Sequence, residues 1–445
     1  RYIGDWSSDV CSSDLGCNNV AIGCCTLLCN TCANGNIAIG SASLACNTIG
    51  NFNVGIGYCA LGRNNTGCDN IALGQTALQI NTIGNQNIAI GGAALQSNTT
   101  GCGNIAIGYI GLGSVTTGNS NISIGSIASA STTIGSNNIA MGCLSLYANV
   151  SGNSNVAIGT QAFRFMCGGS NNVALGSLAM YGYLGSGAGY GSNNVAIGKC
   201  ALRYNTSGYG NVALGATAGG STTTGCLNTF IGQGVGHANT TGSKNIFIGS
   251  FAGNCNTTGS QNIYLGAYTG RCNINGGYNF MAGTSAGRNS THGWYNNFIG
   301  YCAGASNTTG ESNNFIGAHA GKSNTTGYHN NFLGKYTGES NTTGRYNNFF
   351  GNQTGQCNTT GWYNNFIGFR AGRYNTTGCQ NTFIGKAAGC NNTTGENNIL
   401  IGWGAGVSSC GGLASITTEC NRIIMGNSSH TCAQIQVGWT DRKST

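Results

Sequence analysis

The chain has 445 residues, with 79 Gly, no Pro, 23 Cys, 6% charged residues and a formal net charge of +8. An ordinary globular domain carries about a quarter charged residues and roughly 5% Pro, so compact α/β and helical folds, and with them most enzymes, are excluded, as is collagen, which needs Pro and a Gly at every third position. The 40% hydrophobic share speaks against disorder, and no apolar run approaches the roughly 18 residues of a membrane span.

In chain order, the two ends stand apart. Asp5 to Leu15 read DWSSDVCSSDL, the string encoded by one frame of a common sequencing-library adapter. Arg1 to Gly4 fit the same primer read through its index, and Asp441 to Thr445, DRKST, match the reverse adapter. Such segments are kept out of fold reasoning. Residues 1–15 and 441–445 are therefore expected to be artefacts, and 16–440 a segment of a longer reading frame. Setting them aside removes Arg1, Arg442 and Lys443 from the 17 basic residues and Asp5, Asp9, Asp14 and Asp441 from the nine acidic ones. Asp69, Glu311, Glu339, Glu396 and Glu419 remain.

From Gly23 onward one unit repeats. A Gly closing the motif N-x-x-I-G falls every 17 residues from Gly23 to Gly176 and again from Gly198 to Gly402, with one longer step through the Gly-rich insert 182–191, making 23 copies in one register. Such a strict period requires stacked units that meet their neighbours identically. The residue four before this anchor Gly is Asn in every copy, from Asn19 to Asn398, and a three-residue apolar run follows it. Short β-branched or aromatic runs bounded by Asn and Gly predict strands, and the N-T-T-G segments between them predict turns in which Gly supplies the positive φ. No stretch holds a 3.6-residue period. The expected fold is all-β: a parallel β-solenoid or β-roll of about 23 coils of 17 residues. Stacked amides can hydrogen-bond along a parallel stack, so the Asn column is a predicted structural ladder. We name Asn194, Asn211, Asn228, Asn245, Asn262, Asn296, Asn313, Asn330, Asn347, Asn364 and Asn381 as its members.

The repeats divide into two types. Over 16–218, which contains the insert, the residue four after the anchor is mostly Leu (Leu44, Leu61, Leu78) and the residue two before it is Ala (Ala38, Ala72, Ala89). Over 219–406 the first position is always Gly, and from Phe230 the second is Phe or similar (Phe247, Tyr264, Phe298, Phe315). Large and small residues trade places, as volume conservation demands of two positions sharing one packing site. Because Gly219 changes before Phe230 does, the first position is predicted to pack against the second position of the following coil.

Residues 407–440 form a transition segment. The units N-N-V-A-I-G (193–198) and S-N-T-T-G-x-x-N-N-F-I-G (306–317) resemble the repeats of phage and giant-virus tail-fibre proteins. More loosely, they are similar to the head repeats of trimeric autotransporter adhesins, which are left-handed parallel β-rolls. The segment 421–440, NRIIMGNSSHTCAQIQVGWT, looks like the stretch that leads into a self-cleaving intramolecular chaperone of the endosialidase type. Its S-D-x-R-x-K motif is absent from this chain, so no catalytic residue carries over. The resemblance implies a homotrimer located in a virion tail fibre, acting as shaft or receptor-binding region on a host surface polysaccharide or receptor. The alternative it implies is the head or stalk of a bacterial surface adhesin. It implies no membrane insertion within this segment.

The candidate sites were weighed against that background. The few carboxylates offer no paired site within a coil, and His237, His292, His319, His329 and His430 occupy different phases of the repeat, so no enzyme, cofactor or metal is expected. A carbohydrate-active enzyme would need clustered carboxylates elsewhere. Cys24, Cys25, Cys29 and Cys32 are dense, and Cys29 with Cys46, like Cys255 with Cys272, share a phase on adjacent coils. They read either as bridged pairs or as small turn residues kept as thiols in a reducing compartment. Trp294, Tyr295, Arg345, Tyr346, Trp362 and Tyr363 sit in the turn before the strand, as candidates either for stacking on sugar rings or for stacking on one another. Arg164, Arg203, Arg271, Arg288, Lys322 and Arg373 lie five after the anchor and predict a basic stripe attractive to anionic glycans. Their charge is too dilute to favour nucleic acid.

Overall fold

The computed structural model describes residues 16–182, 191–407 and 416–427. The two terminal segments, most of the insert 182–191 and residues 428–440 with His430 lie outside these residues. The chain divides into two compact units, 1–262 and 263–445. Among the described residues there is no helix, and so none able to cross a membrane.

The first unit holds strands β1 (Val20–Ile22) to β14 (Ile246–Ile248), and the second holds β15 (Ile263–Leu265) to β24 (Ile423–Met425), each strand three residues long. Within each unit every strand pairs in parallel with the next in sequence, in unbroken register, as in Ile88↔Ile105 and Phe315↔Phe332. The structure is therefore a parallel β-solenoid with one 17-residue coil per strand. The five extra residues of the insert leave the register untouched: β10 (Val173–Leu175) meets β11 (Val195–Ile197) as Ala174↔Ala196. The strand β24, in the segment expected to be a transition, adds a coil beyond the sequence repeat by pairing Leu400 with Ile424.

Side-chain alternation along so short a strand buries only its middle residue. Ala106 and Phe315 are fully buried, while Ile107 keeps 38% of its surface exposed. Hydrogen bonding between coils runs beyond the strand into the turns: Leu44 N–H donates to Ala60 O (3.0 Å), and Gly321 N–H to Thr337 O (2.9 Å). To aim these amides at neighbouring coils, the backbone enters the left-handed region several times per turn, at Ala42 (φ 55°), Leu44 (51°) and Phe52 (57°) in one coil. Each such non-Gly residue costs about 1–2 kcal/mol, which the ladder must offset.

The Asn column is continuous in each unit. Each member accepts the next coil's backbone N–H on its Oδ1, as Asn36 does from Asn53 N–H (2.9 Å) and Asn330 from Asn347 N–H (3.1 Å). Its Nδ2 donates to a Gly carbonyl of the following turn, as from Asn330 to Gly344 (2.8 Å). The predicted members Asn194 to Asn262 and Asn296 to Asn381 all take part. A second buried ladder, read in the sequence only as turn residues, runs through the Asn of N-T-T-G. Asn324 Nδ2 donates to Asn307 Oδ1 at 2.8 Å, and Asn341 Nδ2 to Asn324 Oδ1 at 2.7 Å. These Asn are fully buried, which closes the N-T-T sequons to glycosylation in the folded chain.

The exchange of Leu/Ala for Gly/Phe occurs in one shared space. A β-carbon built on Gly219 lies 2.6 Å from Phe230 Cδ2 and 3.0 Å from Leu202 Cδ2, and one built on Gly55 lies 3.4 Å from Leu44 Cγ. The Gly219–Phe230 and Leu44–Gly55 contacts join the first position to the second position of the following coil, as predicted. Further on, the nearest ring belongs to the same turn, as for Gly321 against Phe315 (2.5 Å). Leu44 at this position is left-handed, so the Gly of the second type also removes that strain.

Candidate functional site

The residue just before each ladder Asn sits at a turn where its N–H donates back to the preceding coil: His329 to Glu311 O (3.0 Å), Tyr346 to Tyr328 O (3.1 Å), Tyr363 to Arg345 O (3.1 Å). This bond goes with a left-handed backbone, φ 54–55° at His329, Tyr346 and Tyr363, and leaves these rings on the outer face. Tyr295 is 61% exposed and Tyr363 52%. Successive coils stand about 4.8 Å apart, which is also a stacking distance, so rings in this row stack. Tyr278 and Tyr295 are 5.2 Å apart, His329 and Tyr346 5.1 Å, and Tyr346 and Tyr363 4.8 Å, all within 17° of parallel. Rings in this row thus stack on one another, one of the two arrangements that the sequence offers.

All six candidates lie in the second unit, in two groups. Trp294 and Tyr295 join Tyr278. Tyr346, Trp362 and Tyr363 join Tyr328 and His329, with Trp362 edge-on to Tyr363 at 5.2 Å and the Arg345 guanidinium 5.8 Å from the Tyr328 ring centre. Sequence reasoning missed Tyr278, Tyr328 and His329, although each occupies one of the two phases that drew attention to the others.

The row is interrupted at Ser312. With Ser312 in the intervening coil, Tyr295 and His329 occupy the same phase two coils apart, about 10 Å by the coil repeat. A span of that size is wide enough to admit one ring in van der Waals contact with both aromatic faces. Trp294 and Glu311, one residue earlier in their turns, flank the gap.

The basic residues do not form a bare stripe. In the first unit the Arg164 guanidinium lies 5.8 and 5.9 Å from Tyr147 and Tyr181, and Arg203 lies 5.8 and 4.9 Å from Tyr181 and Tyr204. In the second, Arg271 and Arg288 both approach Tyr268. Arg373 donates to Gln356 (3.1 Å), which donates to Glu339 (2.9 Å). No contact of Lys322 defines a site.

Four other titratable groups are shifted by their surroundings. Glu419 accepts the N–H groups of Thr417 (2.6 Å) and Thr418 (3.1 Å). These amides, Thr417 first, hold its carboxyl below the usual range. Burial pushes the Tyr264 phenol far above its ordinary value against the hydrogen bond with Asn279, and burial raises the Cys357 and Cys379 thiols. Cys29, Cys46, Cys255 and Cys272 are thiols, not disulfides. Among the described residues no three His, Cys, Asp or Glu side chains converge as metal ligands.

No protein-family model and no curated protein matches the chain.

Proposed function

We propose that the chain is a structural and adhesive fibre segment that binds host surface glycans, acting as part of a homotrimeric viral tail fibre. The gap between Tyr295 and His329 carries the glycan reading: two opposed aromatic faces on a rigid scaffold, with Trp294 and Glu311 at its sides. Hydrophobic stacking supplies affinity there, and the flanking indole and carboxylate meet hydroxyl groups. In this reading the segment performs no catalysis.

The test is a glycan array probed with the full chain and with a Tyr295→Asn, His329→Asn variant. Asn stands naturally at this left-handed position at Asn137, Asn171 and Asn193, so the variant keeps its backbone. The variant is expected to lose binding about ten-fold or more; equal binding by both proteins refutes the site.

The homotrimer is supported by the outer rows of the strands. In the first unit Ile56, Ile90, Ile107, Ile124, Ile158 and Ile197 repeat on one face, 37–40% exposed, an apolar row of the kind that marks association surfaces. Light scattering is expected to give three times the 45.2 kDa chain mass for the wild type and one chain for an Ile107→Lys, Ile124→Lys variant. A monomeric wild type disproves the assembly.

A further inference from the structure

The first unit contains a second recess, unlike the aromatic gap in charge. In the row five residues after the anchor, Tyr147, Arg164, Tyr181 and Arg203 occupy successive coils, so that each guanidinium is held by rings. The alternation stops at Gly220, and His237 follows in the next coil. The missing side chain opens a cleft of about 220 Å³ lined by Arg203, Tyr204, Thr217, Gly220, Ser221 and His237. His237 leans over the glycine: a β-carbon on Gly220 falls 2.9 Å from His237 Nδ1, which lies 3.4 Å from Thr217 O.

Charge distinguishes this cleft from an ordinary surface dimple. Between Asp69 and Glu311 the sequence contains no acidic residue. Neither Arg164 nor Arg203 has a carboxylate available within that stretch, and the Nε of each is buried with no hydrogen-bond partner. With Nε buried, a carboxylate would be taken by the two Nη groups of the Arg203 guanidinium, which is positioned by stacking and lacks an anion. The Tyr204 ring beside it offers an apolar wall for a sugar face, and the Ser221 side chain, which lines the cleft, offers a partner for a hydroxyl. An inorganic anion would use the cation and leave the wall idle.

We propose that the cleft between Arg203 and His237 is a subsite for a carboxylate-bearing sugar of an acidic polysaccharide. This rests on the glycan-binding reading but uses different residues, in the other unit. The probe is trigalacturonate titrated calorimetrically into the full chain, with neutral galactotriose and inorganic phosphate in parallel. Wild type is expected to bind trigalacturonate and neither control. Arg203→Gln and Gly220→Tyr are each expected to weaken binding about ten-fold or more. Both changes suit the backbone, since Gln79, Gln96 and Tyr181 stand at the same place in other coils, and Gly220→Tyr fills the cleft while keeping every charge. Absence of trigalacturonate binding overturns the proposal, as does binding of phosphate equal to it, or unchanged affinity in both variants. The Tyr295→Asn, His329→Asn protein separates the two readings. Acidic-sugar binding lost there and retained in Arg203→Gln refutes the cleft alone, whereas the reverse pattern upholds the cleft and places acidic-glycan binding outside the aromatic gap.

Discussion

Phe315→Ala destabilises the second unit by about 3–5 kcal/mol, Gly321→Leu by about 1–3 kcal/mol or more, and the two together by clearly less than their sum. The Phe315 ring stacks between Phe298 (5.0 Å, 10°) and Phe332 (4.8 Å, 9°), so truncation removes buried area and two ring contacts. A β-carbon on Gly321 falls 2.5 Å from Phe315 Cδ2 and Cε2, where a side chain fits only if the ring leaves. The left-handed backbone is no obstacle in itself: Gly321 has φ 54° and Leu44, at the equivalent place in the first unit, has φ 51°. The double variant rebuilds the Ala/Leu arrangement of that unit in a single coil, and neighbouring residues that share one space show coupling of about 0.5–3 kcal/mol. Urea unfolding followed by tryptophan fluorescence reads all three proteins, since Trp294 and Trp362 lie in the second unit. Additive losses would show that the two positions do not compensate.

The second large effect concerns the Asn column. Asn330 accepts the N–H and the Nδ2 of Asn347 (both 3.1 Å) and donates to Gly344 O (2.8 Å) and Asn313 Oδ1 (3.2 Å). Asn330→Ala strands buried partners on both sides, each at about 1–3 kcal/mol, so a loss of about 3–6 kcal/mol is expected, unchanged between neutral and acid pH. Asn330→Asp keeps the shape and both accepted bonds but, when ionised, loses the donor and buries a charge. Burial then raises its folded-state pKa above the unfolded value of about 3.9. The sign follows from linkage: a raised folded pKa means stability is fully present below about pH 4 and is lost as pH rises through the folded value. The Asp variant is therefore near wild type in acid, where its O–H donates to Gly344, and close to the Ala variant at neutral pH. With only nine acidic residues in the chain, the wild-type background changes little across that range. An Asp variant equally unstable at both pH values would show that the lost donor is not what matters.

Both predictions concern features legible in the sequence, because a stacked repeat converts spacing into contact. Residues 17 apart in the chain are neighbours in space, so an invariant Asn must face the next Asn, and a correlated change at two phases must be a packing contact. The sequence was less informative at turns. Tyr, Phe and Leu at left-handed positions, such as Tyr346 (φ 55°) and Leu61 (φ 51°), run against their backbone preference, so composition gave no warning that these residues would hold the turns. The second Asn ladder was hidden for a related reason, since N-T-T-G is a complete turn signature that explains its Asn without any stacking partner. The 17-residue period stops at Gly402, yet within the transition segment 407–440 Ile423–Met425 still pairs with Ile399–Ile401; a parallel ladder needs a matching strand and not a matching loop length.

By itself, then, the sequence determined the period, the strand, the main Asn column and the exchange of core volume between the two repeat types, all consequences of identical coils meeting in one register. Only the tertiary structure decided what the outer rows do. Whether a Tyr stacks, faces a gap at Ser312 or walls a cleft at Gly220 depends on the direction its turn gives it and on which neighbour lacks a side chain, and both are properties of adjacent coils taken together.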